Sequence, residues 1–327
     1  MADIPRIEFF AQHRYRANWP FVDGHALTLT TYHVMSHMNI SEVNTIGNGI
    51  LRPEGVMALN DGSLYTADAR GQIAHVQPDG RVDFFGDLGG VPNGICIDPQ
   101  GRCIVANIGN GQVQALSRDG SHEVLLTQAE SRRMRAPNFP YVDSRGRLWV
   151  SNSTEKQDIE SALWHPLPDG CVVVVEAGRE PRIVADGLYF ANGLTLDRDE
   201  RYLYVAQTMR RNIVRYAIEP DGSCGPAEIF GPSPLAQLGL PDGIAFDEAG
   251  NLWITFPQWN AVGYLTPDGQ LEMVLEDPEK RILRRPANIC FGGPDRRTAF
   301  IGSLDGTTIP YFPVPHPGMR LVHQPRP

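Results

Sequence analysis

The 327-residue chain has no apolar run near the ~20 residues needed to cross a bilayer. Its first residues, MADIPRIEFFAQHRYRANWP, lack the roughly 7–15-residue apolar core of a secretory signal. Both absences lead to the expectation of a cytoplasmic protein with no membrane partner. Basic residues are in deficit: 29 Lys and Arg against 38 Asp and Glu give a net charge of −9. Binding to nucleic acid or to an anionic membrane, which needs a basic patch, is therefore not expected. Cysteine is scarce and odd in number (Cys96, Cys103, Cys171, Cys224, Cys290), and no CxxC pair occurs. That leaves neither a disulfide framework nor a zinc ribbon. The sequons at Asn39 and Asn152 have no role in a protein that is not secreted. A GxSxG nucleophile elbow is missing, which argues against a serine α/β-hydrolase. His33 and His37 stand four residues apart, but without the HExxH glutamate they read as no metal site.

Glycine (33) and proline (27) are plentiful instead, as expected of many short strands joined by turns. A repeat organises them. It opens with an apolar-Pro/Ala-polar-Gly segment, runs through a short apolar stretch, turns, and runs apolar again. The copies begin RPEGVMAL, VPNGICID, APNFPYVD, FANGLTLD, LPDGIAFD and PANICFGG. Their second runs are SLYTAD, RCIVAN, RLWVSN, YLYVAQ, NLWITF and TAFIGS. The polar residues of the opening segments are Glu54, Asn93, Asn138, Asn192, Asp242 and Asn288, spaced by 39, 45, 54, 50 and 46 residues. A repeat of about 40–50 residues is the length of one four-stranded propeller blade. The intervening turns, DPQGR, DSRGR, DRDER and DEAGN, supply the Asp and Gly that hairpins need. The expected fold is all-β, a six-bladed β-propeller over residues 38–327, with Ile40–Ile46 as its closing strand. Residues 1–37 would form an extension, acting as a lid, a strap or a contact between copies in a homo-oligomer.

Innermost propeller strands surround a central channel, so the six polar residues are expected to ring one mouth. All six bear oxygen and none is basic, the donor chemistry that a hard cation such as calcium prefers. Turn chemistry is the alternative at each single position. Asn93 and Asn288 would bind substrate, ion-bound water or the ligands themselves. Further candidates for the pocket wall are Phe139, Asn152, the loop Ser153–Trp164, Phe256, Trp259 and Ser303. The cysteines, including Cys290 two residues after Asn288, are expected to pack as small hydrophobes.

Over about residues 40–310 the chain resembles the senescence-marker-protein/gluconolactonase/luciferin-regenerating-enzyme family. The resemblance rests on RPEGV, APNFPYVDSRGRLWVSN, FANGLTLDRDERYLYVAQT and LPDGIAFDEAGNLW. It implies a six-bladed propeller with a divalent ion in the channel, calcium first, with magnesium, manganese or zinc as alternatives. The implied ligands are Glu54, Asn138, Asn192 and Asp242, and the implied activity is lactone hydrolysis with Asp242 activating water. The chain departs from the gluconolactonase pattern around the third-blade Asn: Phe139-Pro140 follows it, and Ala136 stands two positions before it, where Arg is expected. A substrate less polar than a sugar lactone follows from that departure. Organophosphate hydrolysis, another pathway reaction, or a non-enzymatic calcium-binding propeller are the alternatives. A strictosidine-synthase-like reading is opposed by the Glu/Asn/Asn/Asp set.

Overall fold

The structure is a computed structural model describing residues 38–324. Residues 1–37, with His33 and His37, lie outside the described residues, and so do the roles expected of that segment. Six four-stranded antiparallel sheets follow one another along the chain as the blades of a propeller. The innermost strands are Val56–Ala58, Pro92–Ile97, Pro137–Val142, Ala191–Leu196, Ile244–Phe246 and Pro286–Gly292, for blades I to VI. The second apolar runs form the neighbouring strands: Leu64–Asp68, Cys103–Asn107, Leu148–Asn152, Tyr202–Gln207, Leu252–Phe256 and Thr298–Ser303.

Burial falls from hub to rim. Every residue of Cys103–Asn107 is buried, whereas the outer strand His122–Leu126 of the same blade is mostly exposed. Strands covered on both faces by neighbouring blades read as continuous apolar runs, and this is why the second strands stood out in the sequence. Four of the five free cysteines, Cys96, Cys103, Cys171 and Cys290, are buried and Cys224 is half-buried, and burial pushes the Cys290 thiol up to about 12. That thiol stays protonated at neutral pH and packs rather than attacks.

Blade VI is closed by Asn44–Ile46, which pairs antiparallel with Ile309–Pro313 in the register Asn44↔Tyr311, Thr45↔Pro310 and Ile46↔Ile309. The seam strand is thus shorter than the sequence pattern implied. Ile40–Glu42 forms a 3₁₀ turn, because Asn39 and Glu42 cap each other's backbone in a capping box. At the other end, the segment after Pro313 crosses the far ends of the innermost strands. The Met319 N–H donates to the Phe246 carbonyl, the His323 ring bonds the Ala58 carbonyl, and Leu321 packs against the core. One mouth of the channel is therefore covered by the chain itself.

The hairpin turns are fastened by their aspartates. Asp143 accepts the Arg145 and Arg147 backbone N–H groups, the Arg147 guanidinium at 2.6 Å and the Trp149 indole N–H at 2.9 Å. Asp247 repeats the pattern, with Asn251 in place of the arginine and Trp253 in place of Trp149. Asp197 accepts the backbone N–H groups of Arg201 and Tyr202, and its other oxygen stands 4.0 Å from the exposed Arg201 guanidinium. Asp143→Ala strands a buried guanidinium and a buried indole, and is expected to cost about 3–5 kcal/mol. Asp197→Ala is expected to cost only about 1–2 kcal/mol, since besides backbone groups it frees only a long, solvent-exposed ion pair to Arg201. Urea unfolding of the two variants checks the ranking, and equal losses would contradict it.

Candidate active site

The opening segments bring the blades into contact at the hub. Gly55, Gly94, Gly193 and Gly243 each follow a ring residue, and none has left-handed backbone. A Cβ on Gly243 would lie 2.6 Å from the Ala287 carbonyl of the next blade. Gly55, Gly94 and Gly193 would clash in the same way with the carbonyls of Asn93, Asn138 and Asp242. The Gly193 N–H donates to the Asp242 carbonyl at 3.1 Å, and the Gly243 N–H to that of Ala287 at 2.8 Å. Within blades II, III, IV and VI the strand register shifts at or beside the ring residue. Such irregularities re-aim side chains, and here they occur where the polar groups meet.

The open mouth holds a pocket lined from all six blades. Glu54, Asn93, Asn138, Asn192 and Asp242 line it, so five of the six ring residues converge on one cavity. The two amides beside the carboxylates have a fixed orientation. Asn138 Nδ2 donates to Ser153 Oγ at 3.0 Å, and that hydroxyl donates to the Ala191 carbonyl at 2.8 Å. Asn192 Nδ2 donates to Thr208 Oγ1 at 3.1 Å, which donates to the Pro241 carbonyl at 2.8 Å. Each hydroxyl has spent its proton on a carbonyl, so it can only accept from the amide. The NH₂ ends are thereby held, and each Oδ1 is left as the amide atom for the cavity.

The carboxylates are buried, Glu54 being 5% and Asp242 7% exposed. Burial raises the pKa of both. At Asp242 the Glu54 charge adds to the rise, while Arg52 and Arg285 oppose it. At Glu54 the opposing influences are Arg52, with which it forms an ion pair, the Asn93 hydrogen bond and Arg285. Two buried anions in each other's field are the electrostatic setting that a divalent cation relieves. The donor set of two carboxylates and two oriented amide oxygens fits a hard cation. Among the described residues no group of three or more His, Cys, Asp or Glu is gathered as a metal cluster, so any ion at the hub must be held partly by amides.

Other sequence candidates lie elsewhere. Asn288 bonds its own chain, Oδ1 accepting the Ile289 N–H at 2.6 Å, and it is not part of the lining. Asn152 fastens the strand lead-in, accepting the Ala136 N–H at 2.9 Å and donating to the Thr154 carbonyl. Phe139 packs in the core with Tyr141 and Trp149. Trp259 stacks beside Phe256 at 5.8 Å between ring centres, and Ser303 caps the Gly306 N–H. The loop Ser153–Trp164 does reach the pocket, through Ser153, Ile159 and Leu163. The ring of oxygen donors hid two cations: Arg52 and Arg285 also line the cavity, each one residue before the proline of its repeat. That Arg-Pro pairing in RPEG and RRPAN was the available signal.

The fold defines a six-bladed propeller, with an amide-rich pocket lined by two carboxylates and two guanidinium groups at its open mouth. The family profile described as SMP-30/Gluconolactonase/LRE-like region matches residues 52–305, and the chain belongs to that family. It is 30% identical over 164 residues to a 6-deoxy-6-sulfogluconolactonase of Pseudomonas putida, covering 50% of this chain and 52% of the relative. It is 30% identical over 225 residues to the protein strictosidine synthase-like 6 of Arabidopsis thaliana, covering 65% and 58%. The chain thus spans a little over half the length of these curated relatives. Among solved structures, a gluconolactonase of Xanthomonas campestris superposes with a TM-score of 0.70 at 25% identity, covering 84% of this chain and 89% of the other. A luciferin-regenerating enzyme superposes at 0.72 with 19% identity, covering 87% and 99%, and that likeness speaks to the fold.

The raised carboxyls make a prediction about stability. A carboxyl whose folded pKa is raised binds its proton more tightly in the folded state, so it destabilises that state as pH climbs above the unfolded value. In the presence of chelator, Asp242→Asn should therefore melt higher than the unsubstituted chain at pH 8, with the gain shrinking toward pH 4. A melting series across that range checks the trend, and a gain that is flat or reversed in pH would contradict it.

Proposed function

We propose that this chain is a lactonase that opens a cyclic ester at a divalent cation held by Glu54, Asn138, Asn192 and Asp242. The observation that carries the reading is the fixed orientation of Asn138 and Asn192. Ser153 and Thr208 each accept one amide hydrogen, which leaves two neutral oxygens to join two carboxylates in a donor set. Oxygen donors in that mixture suit calcium, with magnesium, manganese and zinc as the other candidates. When bound, the cation would polarise the lactone carbonyl and lower the pKa of a coordinated water.

Asp242 is the group to accept the proton of the attacking water, a contribution typically worth about 10²–10⁴-fold. Water oxygen bonds to the carbonyl carbon, the ring C–O bond breaks, and the released alkoxide takes up a proton to give a hydroxy acid. Asn93 is oriented by Arg52, which donates to its Oδ1 at 3.1 Å, and it donates in turn to the Asn138 carbonyl. Its place is to support the ligand shell. Ile108, Ile159, Leu163, Phe190, Leu240 and Leu304 make up much of the wall. This supports a substrate with an apolar body rather than a ring of hydroxyls.

Chelator-sensitive turnover of γ- or δ-lactones, restored by calcium or another divalent ion, is the expected outcome of a substrate panel that includes an aryl ester and a fluorophosphate. Asp242→Asn should lose at least 10²-fold in kcat. Lactone turnover indifferent to chelation, or retained by Asp242→Asn, would overturn this mechanism. Thr208→Ala should weaken calcium binding about 10–100-fold by releasing the Asn192 amide. Calorimetric calcium titration reads that change, and unaltered affinity would remove the orienting role assigned to the hydroxyl.

A further inference from the structure

The charges of the pocket lining are Arg52, Glu54, Asp242 and Arg285, and they cancel. A divalent cation at the hub upsets that balance and leaves an excess of two positive charges. Asp305, whose carboxylate lies 3.5 Å from Arg285, offsets one of them at most. Arg285 is 3% exposed, so solvent screens the excess poorly. Asn138 and Asn192 each give one amide hydrogen to a hydroxyl outside this balance, so the two guanidinium groups are the charged donors of the lining.

Backbone geometry is shared along this lead-in. The chain bends through left-handed backbone as it approaches the innermost strands, at φ 54° for Arg52, φ 60° for Phe190 and φ 57° for Arg285. Blade II makes the corresponding bend with Gly90, at φ 55°. Glycine takes that conformation without steric cost, and a long cationic side chain does not. In blades I and VI the strained choice delivers a guanidinium to the cavity.

We propose that the pocket selects an anionic substrate, a carboxylate-bearing lactone whose carboxylate is recognised by Arg52 and Arg285. Guanidinium and carboxylate match as a planar fork of donors and a pair of acceptors. The lactone part of this statement rests on the hydrolase reading, whereas the anion part does not. Because the excess charge arises with the cation, carboxylate binding should strengthen when calcium is loaded.

Calorimetry with tetrahydrofuran-2-carboxylate and its carboxamide tests this, because neither ring is an ester and neither can be hydrolysed. On the calcium-loaded chain the carboxylate should bind at least tenfold more tightly than the carboxamide, and more tightly than it does after chelation. Arg285→Gln, confirmed folded by its melting transition, should erase the preference while leaving carboxamide binding within about twofold. Equal affinities for the two probes, no measurable carboxylate binding, or a preference that survives in folded Arg285→Gln would each overturn the proposal. If that variant does not fold, the two-probe comparison on the unsubstituted chain decides. Should carboxylate preference hold while no lactone is turned over, anion recognition stands and the hydrolase reading fails.

Discussion

Everything at the hub depends on how closely the innermost strands press together. Gly55, Gly94, Gly193 and Gly243 carry no side chain because the next blade's carbonyl occupies the space a Cβ would need. Gly302 does the same at the seam, where the Glu54 carbonyl fills that space. This contact lets backbone hydrogen bonds run from blade to blade around the axle, as from Ser303 N–H to the Pro53 carbonyl at 2.8 Å. It also brings Glu54 and Asp242, which are 188 positions apart in the chain, close enough to share one electrostatic environment. Without the crowding there would be a channel but no shell of converging polar side chains.

That shell is costly to the fold. Taking charged groups out of water is unfavourable, and the surrounding protein here answers with paired charges, oriented amides and hydroxyl relays. The expense is confined to one mouth. At the opposite mouth Met319, Leu321 and His323 lie over the strand ends and make ordinary backbone and apolar contacts. A polar end built to receive a ligand and a sealed end built for stability are the two faces of the same ring.

The blade pattern was legible because it is local. Each opening segment, turn and second run lies within about fifteen residues, and burial on both sides imposes an unbroken apolar signature on the second strands. Glu54, Asn138, Asn192 and Asp242 could be placed together because equivalent points on equivalent strands must converge on the axis. What escaped the sequence was whatever depends on a neighbour across a blade boundary. Thr208 holds Asn192 within its own blade but is itself fixed by the next blade's Pro241 carbonyl, and Ser153 reaches across to the next blade's Ala191 carbonyl. Arg52 and Arg285 were passed over because they precede the repeat's polar position instead of occupying it. Asn152, Phe139 and Trp259 were nominated by proximity in sequence to the rim. Their side chains are absorbed by strand fastening and core packing, which alternation along a strand can place on either side.

The seam between Asn44–Ile46 and Ile309–Pro313 has a bearing on how the molecule is made. During synthesis, hairpins of the earlier blades can form as they leave the ribosome, but the circle has no partner for its first strand until residue 313 has emerged. The segment Asn44–Ile46 therefore stays without its strand partner until blade VI has been made, and closing the ring is a contact between the most distant parts of the repeat.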